Sequence, residues 1–235
     1  MHKIERIALA GIPNCGNRSL FNQLTGSRQK VGNWSGVTVE KIEGRFNLKG
    51  SLIEIVDLPG TYNLTPDTED QRVAEQVIKN REYDLIINVV DATNLSRNLY
   101  LTMDLKERTD QIIVLLNMLD VAEKEGIAIN IEELSQQIGL PVIPVVGVDS
   151  ASVKEAVSRI EDLIDYLPDH DTHPLKSEVL DTVKKYFYID NIYDKVVQMK
   201  KEGENITDKI DNLVMNRFAA IPIFLLSMFI TFWFA

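Results

Sequence analysis

The chain has 235 residues, 45% of them hydrophobic and 26% charged, a length and composition expected of a globular fold with an ample core. Its net charge of −10 argues against a general nucleic-acid binder, because phosphate backbones reward a surplus of Lys and Arg. The lone cysteine, Cys15, excludes an internal disulfide and fits a reducing cytoplasm.

No signal peptide is expected, since the apolar run in "MHKIERIALAG" is short and leads straight into a glycine loop. "RIALA" (6–10) reads as a buried strand and "NRSLFNQLTG" (17–26) as the helix after it. "GRFNLKG" and "SLIEIVDL" alternate apolar and polar residues around a Lys-Gly turn, the pattern of a hairpin. "DTEDQRVAEQVIKN" (67–80) has helical spacing. "DLIINVVD" (84–91) and "QIIVLLNM" (111–118) are continuous apolar runs of strands covered on both faces, with the helix "LSRNLYLTMDLKERT" between them. "NIEELSQQIG" (130–139) opens with Asn130 and has Glu133 three residues later, a helix cap. "PVIPVV" is read as a last strand and "SVKEAVSRIEDLIDYL" (152–167) as a last helix of an α/β sheet with helices on both faces.

After Leu167, "PDHDTHP" reads as a linker. Helices are expected at "LKSEVLDTVKKYF", "NIYDKVVQMKKEG" and "ITDKIDNLVMNRF" (206–218), a short helical domain over 168–217. "FAAIPIFLLSMFITFWFA" (218–235) carries no charge, and its eighteen residues would span about 27 Å as a helix. A transmembrane start is expected there, in a fragment of a longer membrane protein; a buried helix of a soluble domain is the alternative.

Ligands of such sheets sit at the carboxyl ends of the strands, and three motifs fall there. "GIPNCGNRS" (Gly11–Ser19) has the two glycines of a phosphate-cradling loop, whose backbone amides meet an anion at a helix N-terminus. The loop's usual lysine is replaced by Asn17 and its magnesium-binding hydroxyl by Arg18; Ser19 comes one residue late, turned about 100° around the helix. In "DLPG", Asp57 can hold Mg²⁺ through water and the Gly60 amide can approach a γ-phosphate. In "NMLD" (Asn117–Asp120), a carboxylate can accept two hydrogen bonds from guanine. Each motif alone also reads as an ordinary turn; together, in this order, they make a guanine-nucleotide site.

With these residues in view, the chain resembles the cytoplasmic G-protein region of the FeoB ferrous-iron transporters. The likeness rests on "GIPNCGNRSLFNQLTGSRQKVGNWSGVTVEKIEG", "IVDLPGTYNL", "DLIINVVDATNLSRNLYLT", "LLNMLDVAEKEGI" and "VMNRFAAIPIFLL". It implies a P-loop GTPase domain (1–167), the small helical domain, and then a transporter carrying Fe²⁺ inward across the inner membrane, with this region facing the cytoplasm. Carried over by residue, Gly11, Pro13, Asn14, Cys15 and Gly16 match the phosphate loop, with Asn14 toward an activating K⁺. Thr38 matches the switch threonine that reaches Mg²⁺ and the γ-phosphate, Asp57 and Gly60 the second switch, and Asn117, Met118 and Asp120 the guanine site. The resemblance implies GTP and GDP as ligands; with Asn17 and Arg18 in place, weakened binding and slow hydrolysis are expected. The alternative is a pseudo-GTPase, a nucleotide-sensing or structural module. A ribosome- or tRNA-associated GTPase is disfavoured by the acidic balance and the apolar tail.

Overall fold

The computed structural model describes residues 4–26, 29–167, 181–199 and 220–234. Its core is a sheet built from β1 (Arg6–Gly11), β2 (Gln29–Asn33), β3 (Glu40–Leu48), β4 (Ser51–Asp57), β5 (Leu85–Asp91), β6 (Ile112–Asn117) and β8 (Val142–Pro144). They lie in the order β2-β3-β4-β1-β5-β6-β8. From β4 to β8 every pairing is parallel, while β2 and β3 run antiparallel at one edge. Parallel strands need crossovers, and the helices supply them: α1 (Asn17–Thr25), α2 (Glu69–Lys79), α3 (Leu95–Lys106), α4 (Leu119–Lys124), α5 (Ile131–Ile138) and α6 (Ser150–Leu163). Every residue of β5 and β6 is buried, as their unbroken apolar runs require.

Local signals set the boundaries. The β3–β4 hairpin turns on Lys49 and Gly50, both at positive φ (49° and 74°), the mirror-image turn that matches strand twist. The capping box of α2 forms between Thr68 and Gln71. Asn130 caps α5 by accepting from the Glu133 amide at 3.1 Å, while the Glu133 side chain bonds Gln137 instead of closing a box.

Several expectations need correction. "PVIPVV" forms a strand only over Val142–Pro144. The two helices expected in "LKSEVLDTVKKYF" and "NIYDKVVQMKKEG" are, over the described residues, one helix, α7 (Thr182–Val196). The chain then extends as β9 (Val197–Met199), pairing with β7 (Ile127–Ile129) in a second small sheet. No break separates the two stretches, because Lys185, Ile189, Ile192 and Val196 form one buried stripe. Strand β2 has no counterpart among the expected elements; all five of its residues are exposed, so no apolar alternation marks it. The linker "PDHDTHP" and the helix expected at 206–218 lie outside the described residues.

Met1–Gln198 forms one compact unit and Met199–Ala235 another. Within the first, α7 packs on α3 and α5. Its Lys185 is buried against α3, where the ammonium pairs with Asp104 and sits 2.9 Å from Glu107. Asp104 also accepts the Leu64 amide at 2.9 Å, tying the loop after β4 to both helices. Burial alone would lower the Lys185 pKa, but the two carboxylates outweigh it and hold the ammonium above the ordinary lysine value. In the second unit, α8 (Ala220–Phe234) has fifteen residues and exposes Phe224, Phe232 and Trp233. Among the described residues no helix is long and apolar enough to cross a membrane.

Candidate functional site: a phosphate cleft at the strand ends

At the carboxyl end of β1 the chain turns sharply into α1, and the turn is built from glycine. Gly11 lets the loop fold back on itself: a Cβ there would lie 2.5 Å from Cys15 Sγ and 2.9 Å from the Val89 carbonyl oxygen. Gly16 caps α1 at φ 100°, a left-handed conformation, and a Cβ there would come within 2.2 Å of Asn117 Nδ2. Among the described residues no side chain caps α1. Its first amides and the positive end of its dipole therefore face the opening between the strands, an anion site by geometry.

A cleft of about 510 Å³ opens above this turn. Pro13, Asn14, Gly16, Asn17, Arg18, Ser19, Asp57, Gly60 and Met118 line it, so nine of the residues singled out in the sequence converge here. Asn14 stands at the loop apex at φ 68° and is exposed. Gly60 approaches from the loop after β4, tied to the phosphate loop by the Thr61 amide, which donates to the Gly11 carbonyl at 3.2 Å.

Five others, Gly11, Cys15, Thr38, Asn117 and Asp120, are not part of the lining. Cys15 is buried beneath the loop; its thiol donates to Asn17 Oδ1 at 3.2 Å, and burial pushes its pKa up to about 12. Thr38 is exposed, with its hydroxyl 3.5 Å from Glu69 of α2. Asp120 is exposed in the first turn of α4, beside Met118, which caps that helix at φ 61°.

Asn117 is fully inside. Its amide donates to the Cys15 carbonyl at 2.9 Å and accepts from the Gly147 amide at 2.8 Å. One side chain thus staples the phosphate loop, the end of β6 and the loop 145–149 into a single frame. Gly147 was not singled out in the sequence; the turn signal Asp149, which caps α6 through the amides of Ala151 and Ser152, is what marks the loop. A second polar cluster props the frame from below. Asn88 donates to the Ala10 carbonyl at 3.2 Å and accepts from Thr102 at 2.7 Å, and Asn98 accepts from the Asp91 amide at 3.1 Å. This explains the polar spacing of "DATNLSRNLYLT", which places Asn98 and Thr102 four apart on the buried face of α3.

Asp57 and Arg18 set the charge of the cleft. Asp57 Oδ1 is buried without a hydrogen-bond partner among the described residues, an unmet acceptor of the kind that suits a hydrated cation. Burial, with Arg18 working against it and Glu40 with it, pushes the Asp57 carboxyl up to about 6. Arg18, where a metal-binding hydroxyl was sought, instead pairs with Glu40 of β3 at 2.9 Å. Glu40 lies two residues before Ile42, the register partner of Asp57, which directs it to that side of the sheet. Relieving the orphaned carboxylate is expected to stabilise the fold: Asp57→Asn should raise Tm in magnesium-free buffer, by about 1 kcal/mol of stability. A thermal melt of the two proteins checks this, and an unchanged or lower Tm would mean that Asp57 is already satisfied.

The sequence model of the family described as "Ferrous iron transport protein B" matches residues 5–160. The Fe(2+) transporter FeoB of Escherichia coli (strain K12) is 52% identical over 160 residues, covering 65% of this chain and 21% of that protein. The Fe(2+) transporter FeoB of Campylobacter jejuni is 36% identical over 99% of this chain and 38% of its own length. The chain thus spans well under half the length of these relatives. Among solved structures, the cytosolic domain of L. pneumophila FeoB is similar with a TM-score of 0.70 at 35% identity, over 82% of this chain and 99% of that one. The G domain of the T. maritima FeoB iron transporter is similar with a TM-score of 0.64 at 38% identity, over 69% of this chain and 99% of that one. A GDP-bound mutant of the S. thermophilus FeoB G domain aligns with a TM-score of 0.68 at 29% identity, over 83% of this chain and 100% of that one. The fold is that of a P-loop GTPase G domain, and the chain belongs to the FeoB family of ferrous iron transport proteins, whose N-terminal G region it carries.

Proposed function

We propose that this chain binds a guanine nucleotide in the cleft above β1 and α1 and is the regulatory region of a membrane transporter for Fe²⁺. The observation that carries the reading is the N-terminus of α1, opened by Gly16 against Asn117, with no side-chain cap among the described residues and sharing one cleft with Asp57, whose Oδ1 has no partner among them. GDP bound to a related G domain supports it. In this reading the amides of Asn14–Ser19 hold the phosphates and the Gly60 amide meets the γ-phosphate. Asp120 accepts the guanine N–H groups, while Asn117 holds the three loops in register rather than leaving its place to reach the base.

Asp57 and Thr38 are the residues that would serve Mg²⁺, and Asn14 the one that would serve K⁺. Bound magnesium would neutralise charge on the phosphate oxygens. Arg18 has no lone pair to offer it, and the Asn17 oxygen is taken up by Cys15, so the cation is held weakly and GTP hydrolysis is slow. The Arg18–Glu40 pair across the cleft gives the second reading its ground: a pseudo-GTPase that senses nucleotide without useful turnover. GTP turnover in K⁺ buffer separates the two. The division into a G domain (1–167), a short helical domain (168–217) and the start of a transmembrane segment (218–235) belongs to the same proposal. So does a place at the inner membrane with this region facing the cytoplasm. Arg217, just before the apolar run, fits the positive-inside tendency.

Base recognition is the direct test. GDP should bind and ADP should not, and Asp120→Asn should cost GDP about tenfold in affinity, the worth of hydrogen bonds to a charged acceptor. Titration calorimetry measures both. Equal affinity for GDP in parent and variant would remove Asp120 from the base site.

A further inference from the structure

Arg18 is the only cationic side chain among the described residues lining the cleft, and the acidic groups around it are many. Asp57 lines the cleft itself, and Arg18, Asp57, Glu40 and Asp70 share the opening next to it. A nucleoside diphosphate brings further negative charge into this place. In a P-loop of ordinary sequence a lysine and a hydroxyl-bound divalent cation would meet that charge; here Asn17 and Arg18 stand at those positions.

The guanidinium is well placed to take over. It projects from the second residue of α1, the turn whose amides face the cleft, and its Nη2 is 2.9 Å from Glu40 Oε2. Both side chains are about half exposed (51% and 55%), so the ion pair is screened by water and weak. A phosphate offers the same planar fork two oxygens and more charge than one carboxylate does.

We infer that Arg18 supplies in this chain the positive charge that a divalent cation supplies in an ordinary P-loop, so that a nucleoside diphosphate displaces Glu40 from the guanidinium and binds without magnesium. Glu40 is then the resting partner of the arginine and a competitor of the ligand. This rests on the nucleotide reading above and adds to it which residue neutralises the phosphates.

The test is calorimetric titration of GDP into the 235-residue chain, once with excess EDTA and once with millimolar Mg²⁺. The two affinities should agree within about twofold. Arg18→Thr should lose about tenfold in EDTA and recover part of that on adding magnesium, because it exchanges a charge for a metal ligand. Arg18→Lys should fall between the two, keeping charge without the fork. Glu40→Gln should bind GDP more tightly than the parent in both buffers. A parent that loses tenfold or more in EDTA overturns the inference, as does an Arg18→Thr protein that binds in EDTA like the parent. A parent that binds no GDP in either buffer overturns instead the nucleotide reading on which the inference rests.

Discussion

Lys185→Ala is expected to destabilise the Met1–Gln198 unit by about 3–5 kcal/mol, because removing one member of a buried ion cluster leaves its partners charged and unpaired. For a unit of this size that corresponds to a fall in Tm of roughly 6–20 °C. The lysine is 2% exposed and lies between Asp104 and Glu107 of α3, so water cannot take its place cheaply. Asp104 is already committed to the Leu64 amide at 2.9 Å, so the damage should spread to the loop that follows β4. The charge origin of the effect can be separated from simple loss of packing. Adding Asp104→Asn to Lys185→Met removes one of the stranded charges while keeping an acceptor for Leu64. That pair should recover a clear part of the stability lost by Lys185→Met alone. A melt in which Lys185→Ala lies within a degree or two of the parent would show that the cluster adds nothing.

The second large effect concerns turnover. Changing Asn17→Lys and Arg18→Thr together is expected to raise GTP hydrolysis by roughly tenfold to a hundredfold, since phosphoryl transfer depends mainly on positioned positive charge. Neither change should suffice. Lysine beside Arg18 still leaves no hydroxyl for the metal, and threonine beside Asn17 leaves the γ-phosphate short of charge. The structure adds a reason: the Asn17 oxygen now accepts from the Cys15 thiol, and the Arg18 side chain is drawn to Glu40, so both positions are occupied with local partners. Phosphate release under saturating GTP and Mg²⁺ measures the outcome. A parent already as fast as the double variant would mean that Asn17 and Arg18 form a competent site of their own.

Much of the fold was legible because burial writes itself into the sequence at one residue resolution. The unbroken apolar runs of β5 and β6, the alternation of β3 and β4 about Lys49-Gly50, and the Asn130 cap all carried their structure locally. What escaped was set by partners far along the chain. Strand β2 has five exposed residues and exists because β3 offers it a ladder, and β7 and β9 are three residues each, too short for any period to show. Lys185 in a helical pattern reads as a solvated charge; only its position opposite Asp104 and Glu107 makes it core.

The site divides in the same way. Gly16, Asp57 and Gly60, marked in the sequence by their order and turn chemistry, line one cleft, because turn geometry and strand ends are sequence-local. Their bonding was not readable. Asn117 is engaged by Cys15 and Gly147, the Thr38 hydroxyl meets Glu69, and Arg18 reaches a glutamate on β3 that no spacing rule connects to it.

The central claim is that nucleotide sits on the turn from β1 into α1, and amide hydrogen exchange of the 235-residue chain with and without GDP tests it most directly. GDP should slow exchange in Gly11–Ser19, where the amides of Asn14–Ser19 would hold the phosphates, and in Asn117–Asp120 at the base, while α5 and β3 beyond Ile42 stay unchanged. Exchange that is the same with and without saturating GDP across Gly11–Ser19, or protection confined to some other part of the chain, would contradict it.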